Sequence, residues 1–401
     1  MPQPDPISAP DFSGVRLRHW LSEILLPFWA VQGFDAAHGA FVEKFEPSDS
    51  KSPGLPTQED YTRVRVQARQ IYVFSHAAAT GISDVGLAAA RRAFAFLEEH
   101  AWDRAEGGWF HRLRCGGGVL DPMKDSYDHA FLLLAMAWLY RATGEPAVLR
   151  RAHQTAAFLE QALARRYGGV FNGYAEHQVS PGGWAPLPRR QNPHMHMLEA
   201  FLALHEVSGD ALWLDHARQM YALFNRHFFD AEAGQLIEFF DRDWREMPQE
   251  GTRLREPGHF FEWTWLLHRY ATLAGDDSAA GAMRPLYDWA WDRGVDSDGV
   301  VFEVLDAEGR VLNGGSKRLW PQTEAAKACL AVHERFGNAE ALERAGKLLG
   351  ALFTTFAGLD RPDWREQVDR GGKVIRDGMP SSSLYHLYLA SAEAVRVLPA
   401  V

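Results

Sequence analysis

The sequence predicts an all-α fold, an (α/α)6 barrel of about twelve helices with short β-hairpins in the loops at one end. Three observations predict it. Tight turns on Gly81, Gly144, Gly209, Gly275 and Gly337 recur at nearly equal intervals, each closing one helix-period apolar segment just before another begins. The longer loops between them share a second signature: Asp35…Gly39-Ala40-Phe41, Asp103…Gly107-Gly108-Trp109-Phe110, Gly168-Gly169-Val170-Phe171, Asp230…Gly234, and Asp296…Gly299 with Phe302 beyond. Many helical segments are also apolar on more than one face, as from Ala130 to Leu139. Such helices are buried on both sides, which two concentric layers provide.

The repeating unit is therefore helix, tight turn, helix, long loop, and the chain holds about six. Helices are expected over 15–32, 62–80, 84–99, 126–143, 146–165, 193–207, 211–227, 259–274, 278–292, 320–336, 339–356 and 383–397. The first begins the ring and pairs with the last. A chain of 401 residues would normally divide into domains, and a repeat is the usual exception. With no linker in view, residues 1–401 are expected to form a single domain. An open helical solenoid is the alternative architecture. The stretch from Pro47 to Pro56 is expected as a loop over the barrel mouth.

Composition narrows the function. The hydrophobic content of 46% supports a large core, and no apolar run reaches the ~18 residues of a membrane span. The polar, proline-rich stretch from Met1 to Gly14 lacks the pattern of a secretory signal. Cys115 and Cys329 make no disulfide framework, so a cytoplasmic setting is expected. A net charge of −10 argues against nucleic acid or an anionic membrane as partner. The 14 Trp, 24 Phe and 11 Tyr serve a core, and aromatic faces also stack on sugars.

Polar residues recur near the start of the helix after each long loop. Arg69, Tyr127, His196, His259, Trp320 and His386 follow one another at close to the period of the fold. In a ring of helix pairs, equivalent positions converge on the axis at one end. Unpartnered buried His, Glu and Arg are strongly disfavoured, so a shared polar pocket is expected there. His259 and Glu262 share a face of one helix start, where the carboxylate could fix the imidazole tautomer. Glu324 follows Trp320 in the same way. Other chemistries fit less well. His194-x-His196 with Glu199 has metal-like spacing, but three residues on one short helix start make a poor closed site. Gly116-Gly117-Gly118 lacks the Lys-Ser/Thr of a phosphate loop. Glu262 and Glu324 could form a glycosidase pair if ~5–9.5 Å apart, although the accompanying histidines and arginine suit proton shuttling better. No serine nucleophile elbow or Cys-His pairing is present.

At these residues the chain resembles the N-acylglucosamine 2-epimerase superfamily, which includes cellobiose 2-epimerases, mannose isomerases and sulfoquinovose isomerase. The resemblance rests on Leu26-Pro27-Phe28-Trp29, Ala68-Arg69, Tyr127 to Phe131, Asn192 to Ala200, Gly258-His259 with Glu262, Trp320-Pro321-Gln322 with Glu324, and Tyr385-His386. It implies an (α/α)6 barrel and proton transfer at sugar C2 without metal or redox cofactor. It also implies His259 and His386 as the acid/base pair and Arg69 as the stabiliser of an enediolate. His196, Glu262 and Glu324 would bind substrate or orient a catalytic His, and Tyr127 and Trp320 would line the substrate site. A homodimer is the assembly often seen in the family. Two departures stand out: Leu387, Tyr388 and Leu389 replace the Arg that epimerases often carry after the last His, and Arg253 and Arg255 lie closer to the central His than the isomerase arginine. Asp377 and Gln367 stand where some isomerases contact sugar hydroxyls. The expected activity is isomerisation of a free monosaccharide, D-mannose to D-fructose. The alternatives are 2-epimerisation of an N-acylglucosamine or other aldose, and non-catalytic sugar binding.

Overall fold

The computed structural model describes residues 13–47, 54–180, 183–184, 189–376 and 378–398. Twelve helical segments alternate between an outer and an inner position. They are α1 (14–31, with a π-helical turn at Trp20–Leu25), α2 (Val64–Ala79), α3 (Leu87–His100), α4 (Ser126–Thr143), α5 (Pro146–Phe158, continued by a π turn) and α6 (Gln191–Ser208). They continue as α7 (Ala211–Leu223, also continued by a π turn), α8 (Pro257–Ala274), α9 (Ala280–Gly294), α10 (Leu319–Phe336), α11 (Ala339–Thr355) and α12 (Ser381–Val397). The even-numbered helices contact one another in sequence, and α12 returns to α2, so the inner ring closes. Each odd-numbered helix from α3 to α11 packs outside the inner helix before it, and α1 packs on α12 as expected. This is the (α/α)6 barrel rather than the open solenoid.

The tight turns explain the sharp reversals. Gly144, Gly209, Gly275 and Gly337 close α4, α6, α8 and α10 in the left-handed conformation, at φ of 69°, 70°, 63° and 65°. That conformation costs glycine little and other residues more. At two of these reversals the residue after the glycine caps the outer helix: Asp210 Oδ1 accepts from the Leu212 amide, and Asn338 Oδ1 from the Ala341 amide.

The long loops carry the expected hairpins, with Phe34–Asp35 pairing Ala40–Phe41, Ala164–Tyr167 pairing Val170–Tyr174, and Phe229–Asp230 pairing Gln235–Leu236. A second system was not expected. A short strand immediately precedes each inner helix and pairs antiparallel with the loop of a neighbouring unit. Tyr61–Arg63 joins Arg112–Arg114, Lys124–Asp125 joins His177–Gln178, and Arg189–Arg190 joins Phe239–Phe240. Leu254–Arg255 then joins Leu305–Asp306, Lys317–Arg318 joins Gln367–Val368, and Met379–Pro380 returns to Lys44–Phe45. This belt fixes the first turns of all six inner helices around one mouth. Residues 48–53, most of the loop expected over that mouth, lie outside the described residues.

Candidate active site

The belt sets a common register. The inner helices start at Val64, Ser126, Gln191, Pro257, Leu319 and Ser381, at nearly equal intervals along the chain. The sixth residue of each is Arg69, Phe131, His196, Glu262, Glu324 and His386. These form one layer across the barrel axis. Tyr127, His259 and Trp320 stand earlier on their helices, one level nearer the mouth. The ring inferred from spacing thus merges two levels. The ninth residues, one turn deeper, are Tyr72, Leu134, Glu199, Trp265, Lys327 and Leu389.

A cavity of about 220 Å³ opens at the mouth, lined by Arg69, Tyr127, His196, His259, Glu262, Trp320 and His386 together with Asn192, Glu256, Arg318, Ser382 and Ser383. Seven of the eight residues expected from sequence therefore share one wall. Glu324, the eighth, is fully buried behind His386. Trp320 stands between the two histidines, its ring centroid 5.0 Å from that of His259 and 5.8 Å from that of His386. Gly258 permits this, because a Cβ there would meet the Trp320 ring at 2.3 Å.

The two imidazoles are held in opposite states. His386 Nδ1 lies 2.8 Å from Glu324 Oε1. Burial, with the positive charges of Arg69 and Lys327, outweighs Glu324 and lowers the ring to about 4. His386 is thus neutral near pH 7. Its Nδ1–H donates to Glu324, which leaves the Nε2 lone pair free to accept a proton. His259 Nδ1 lies 2.9 Å from Glu238 Oε2, and Glu256 is 3.9 Å away. Burial opposes charge here too, but these two carboxylates prevail and raise the ring to about 10. His259 is therefore a cation with two N–H donors. The Asn192 amide sits 3.0 Å from its Nε2, and the amide oxygen finds no other partner. A turn of the amide lets that oxygen accept Nε2–H.

Glu262 does not fix the His259 tautomer, as its spacing suggested; Glu238 does. Glu238 stands on the loop before α8 and is itself held by the Gln191 amide at 2.9 Å. Glu262 instead stands 3.9 Å from His196 Nε2. Burial and the nearby Glu324 charge push its carboxyl well above the usual range, which favours the protonated form, and its Oε1 has no hydrogen-bond partner in the protein. His196 Nδ1 pairs with Glu199 at 3.0 Å, and that carboxylate also accepts from Tyr385. Arg69 donates to the Ser382 carbonyl at 3.0 Å and to the Tyr127 hydroxyl at 2.7 Å, with its guanidinium 4.1 Å over Phe131.

Other polar residues point elsewhere. His194 turns away from His196: its Nε2 accepts the Tyr174 amide, and its Nδ1 faces the Arg190 carbonyl. His129 makes the same pair of contacts with the Trp109 amide and the Asp125 carbonyl. Arg253 reaches Glu308, Arg255 reaches Gln235 and Glu246, and Gln367 reaches Glu303. Asp377 lies outside the described residues. Three groups at the site could bring ligand atoms within 4.8 Å of one another: His196–Glu199–Glu262, Glu238–Glu256–His259 and Glu262–Glu324–His386. In each, the histidine already faces a carboxylate, a pairing that orients imidazoles for proton transfer. Glu262 and Glu324 come as close as a glycosidase pair requires, but Glu324 stands behind a histidine rather than on the cavity wall.

The barrel and its basin of opposed histidines define a class: a helical-barrel protein equipped for acid–base chemistry on a small polar molecule. The chain belongs to the N-acylglucosamine 2-epimerase (GlcNAc 2-epimerase) family, whose model matches residues 48–390. It is similar to a "Mannose-6-phosphate isomerase" of Rhizobium meliloti, at 34% identity over 94% of this chain and 95% of that one. It is also similar to a "D-mannose isomerase" of Pseudomonas cannabina pv. alisalensis, at 30% identity over 89% and 90%. A solved sugar epimerase from a ruminal bacterium shares the fold with a TM-score of 0.85 at 19% identity, over 96% of this chain and 98% of that one. The protein is an enzyme, an isomerase or epimerase acting on a sugar.

Proposed function

We propose that the protein is an aldose–ketose isomerase for a free hexose, taking D-mannose to D-fructose. The observation that carries this reading is the asymmetry of the two histidines. His386 has a lone pair facing the cavity and takes the proton from C2. It returns that proton to C1 on the same face. His259, a cation between Glu238 and Glu256, exchanges Asn192 for the sugar at its Nε2–H. It assists ring opening, gives a proton to the C1 carbonyl oxygen as His386 takes the C2 proton, and recovers one from the C2 hydroxyl as the ketone forms. Arg69 and Glu262 in its protonated form supply donors to the enediolate oxygens, the preorganised electrostatic stabilisation such reactions depend on. Epimerisation by two opposed histidines would need each to act as a base in one direction. A histidine held cationic to about pH 10 serves poorly as one.

The cavity also supports a neutral monosaccharide. At about 220 Å³ it falls below the ~300–1,000 Å³ of drug-sized ligand pockets, which suits one hexose better than two. Its two arginines are engaged, Arg69 as above and Arg318 by Glu366 at 2.8 Å and Glu303 at 3.7 Å. A phosphate would have to compete with the carboxylates for Arg318 and with Tyr127 for Arg69. Incubation with mannose, mannose 6-phosphate and N-acetylmannosamine in deuterated water, followed by NMR, tests the reading. Fructose carrying deuterium at C1 is the expected product. Deuterium at C2 of an aldose without ketose would show an epimerase, and a strong kinetic preference for the phosphorylated sugar would overturn the neutral-substrate assignment.

A further inference from the structure

Beneath the catalytic layer lies a buried charge that the mechanism does not touch. Lys327, the ninth residue of α10, is fully buried and does not line the cavity. Its Nζ lies 2.6 Å from Glu324 Oε2, one helical turn above, and 4.1 Å from the centre of the Trp265 ring. Glu324 is therefore held at both oxygens, with the Thr323 hydroxyl a longer contact at 3.4 Å from Oε1. Oε1 faces His386 at 2.8 Å, and Oε2 faces the ammonium.

We propose that Lys327 is a positioning residue for the catalytic base: its ammonium anchors Glu324 from below, so that this carboxylate holds His386 with its Nε2 lone pair toward the sugar. The proposal rests on the reading of His386 as the base.

Charge balance in the two layers supports it. Glu199 reaches in from α6 beside His196, and Glu262 from α8 below His259. Arg69 and Tyr72 face them from α2, and Tyr385 and His386 from α12. Burial favours the protonated form of Glu262, while Glu199 and Glu324 are held as carboxylates, and the cations set against those two are Arg69 above and Lys327 below. Among the described residues, Lys327 is the one cation in the deeper layer. An isolated charge in a buried site is costly, so the cluster depends on this match. Without Lys327, the surplus anion is relieved most directly by a proton on Glu324. A protonated Glu324 no longer accepts from His386 Nδ1–H as an anion does, and the base loses its orientation.

The sign of the pH effect follows from charge alone. Removing a cation makes Glu324 harder to ionise and His386 easier to protonate. Both changes move the acid-side limb of the rate profile to higher pH.

The test is Lys327→Met, with Lys327→Arg as the charge-preserving control and Lys327→Gln should the methionine variant not fold. Turnover of mannose is followed against pH, and 15N-histidine NMR of the free enzyme reports the His386 tautomer. The His386 resonance is identified by its loss in His386→Asn. Expected for Lys327→Met are a kcat reduced ~10- to 100-fold at neutral pH, KM changed less than about threefold, and the acid limb raised by about a unit or more. The NMR should show loss of the Nδ1–H preference, and Lys327→Arg should recover part of the rate. A folded Lys327→Met or Lys327→Gln variant with wild-type kcat, limb and tautomer overturns the proposal while leaving the base assignment standing. Normal turnover by His386→Asn would instead remove the base assignment, and this proposal with it.

Discussion

At the scale of single residues, the site gives two chemically identical side chains different charges, His386 neutral and His259 cationic. Burial pulls both imidazoles toward neutrality, and the charges around each decide the outcome. His386 has one carboxylate at hydrogen-bond distance, with Arg69 and Lys327 working against it. His259 has both Glu238 and Glu256 on the side of its charge. The positions of the two histidines were legible in the sequence, because they break an apolar pattern near the fold's own period. Their states were not. Glu238 sits in a loop, where no helical spacing ties it to His259, and Lys327 looks like any helical lysine until α10 is seen to be walled in. The assignment makes Glu238→Gln informative. The glutamine keeps the shape and removes the charge, so the His259 pKa falls from about 10 toward the ordinary range. An acid that must be protonated then fails earlier as pH rises. The basic limb of kcat for mannose should move down by ~1–3 units, with kcat at about pH 8.5 reduced ~10-fold or more and KM little changed. A basic limb that stays where it is in the folded variant would remove His259 from the role of acid.

At the scale of elements, four of the six inner helices are tied at their starts by a side chain to the loop that precedes them. The fourth residues of the six helices are Gln67, His129, His194, Phe260, Gln322 and Leu384. Four of them are polar, and each bonds loop backbone. Gln67 brackets the Phe41 amide and carbonyl at 2.7 Å each, and Gln322 the Val301 amide and carbonyl at 2.7 and 2.9 Å. This accounts for buried polar residues that take no part in the site. It also explains why the ring looks single in the sequence: without the belt strands nothing marks a common helix start, and second, third and sixth positions recur at similar spacings. The belt itself was illegible for a simple reason. Most of its strands are two residues long, too short for any alternation of polar and apolar residues. Gln322→Leu tests the tie. It keeps the volume but strands a buried amide and a buried carbonyl, at a cost of ~2–4 kcal/mol. Urea denaturation should show that loss, and hydrogen exchange should show the Val301 amide opening faster than amides within α10. Unchanged Val301 protection would mean that the loop is held by other contacts.

At the scale of the whole molecule, the barrel buries titratable groups from every inner helix, and stability must therefore depend on pH in both directions. The repeat that made the architecture legible also sets this trait, because each unit brings its own polar residues toward the axis. His76, His129 and His386 are lowered to about 4 by burial, and His194 to about 3. A histidine depressed in the folded state contributes stability that is complete above the unfolded value of ~6.5 and is lost as pH falls through the folded value. His259 has the opposite sign. Raised to about 10, it contributes stability that is complete below ~6.5 and is lost as pH rises through 10. Glu262 and Asp125, whose carboxyls burial raises (Asp125 to about 7), act in the same sense as His259, while Glu324 and Glu393, lowered to about 2, act with the histidines. Four histidines titrating over one window make the acid loss the steeper. Each pKa unit separating the folded from the unfolded state is worth ~1.4 kcal/mol before the surrounding structure relaxes. Melting temperature measured from about pH 4 to 10 should peak between about 6 and 8 and fall by at least ~5 °C between about pH 6.5 and 4.5. His129→Asn and His194→Asn, in which an amide replaces the buried ring, should flatten the acid arm whatever their effect at the peak. An acid arm as steep in that double variant as in the parent would show that the buried histidines are not what the fold loses at low pH.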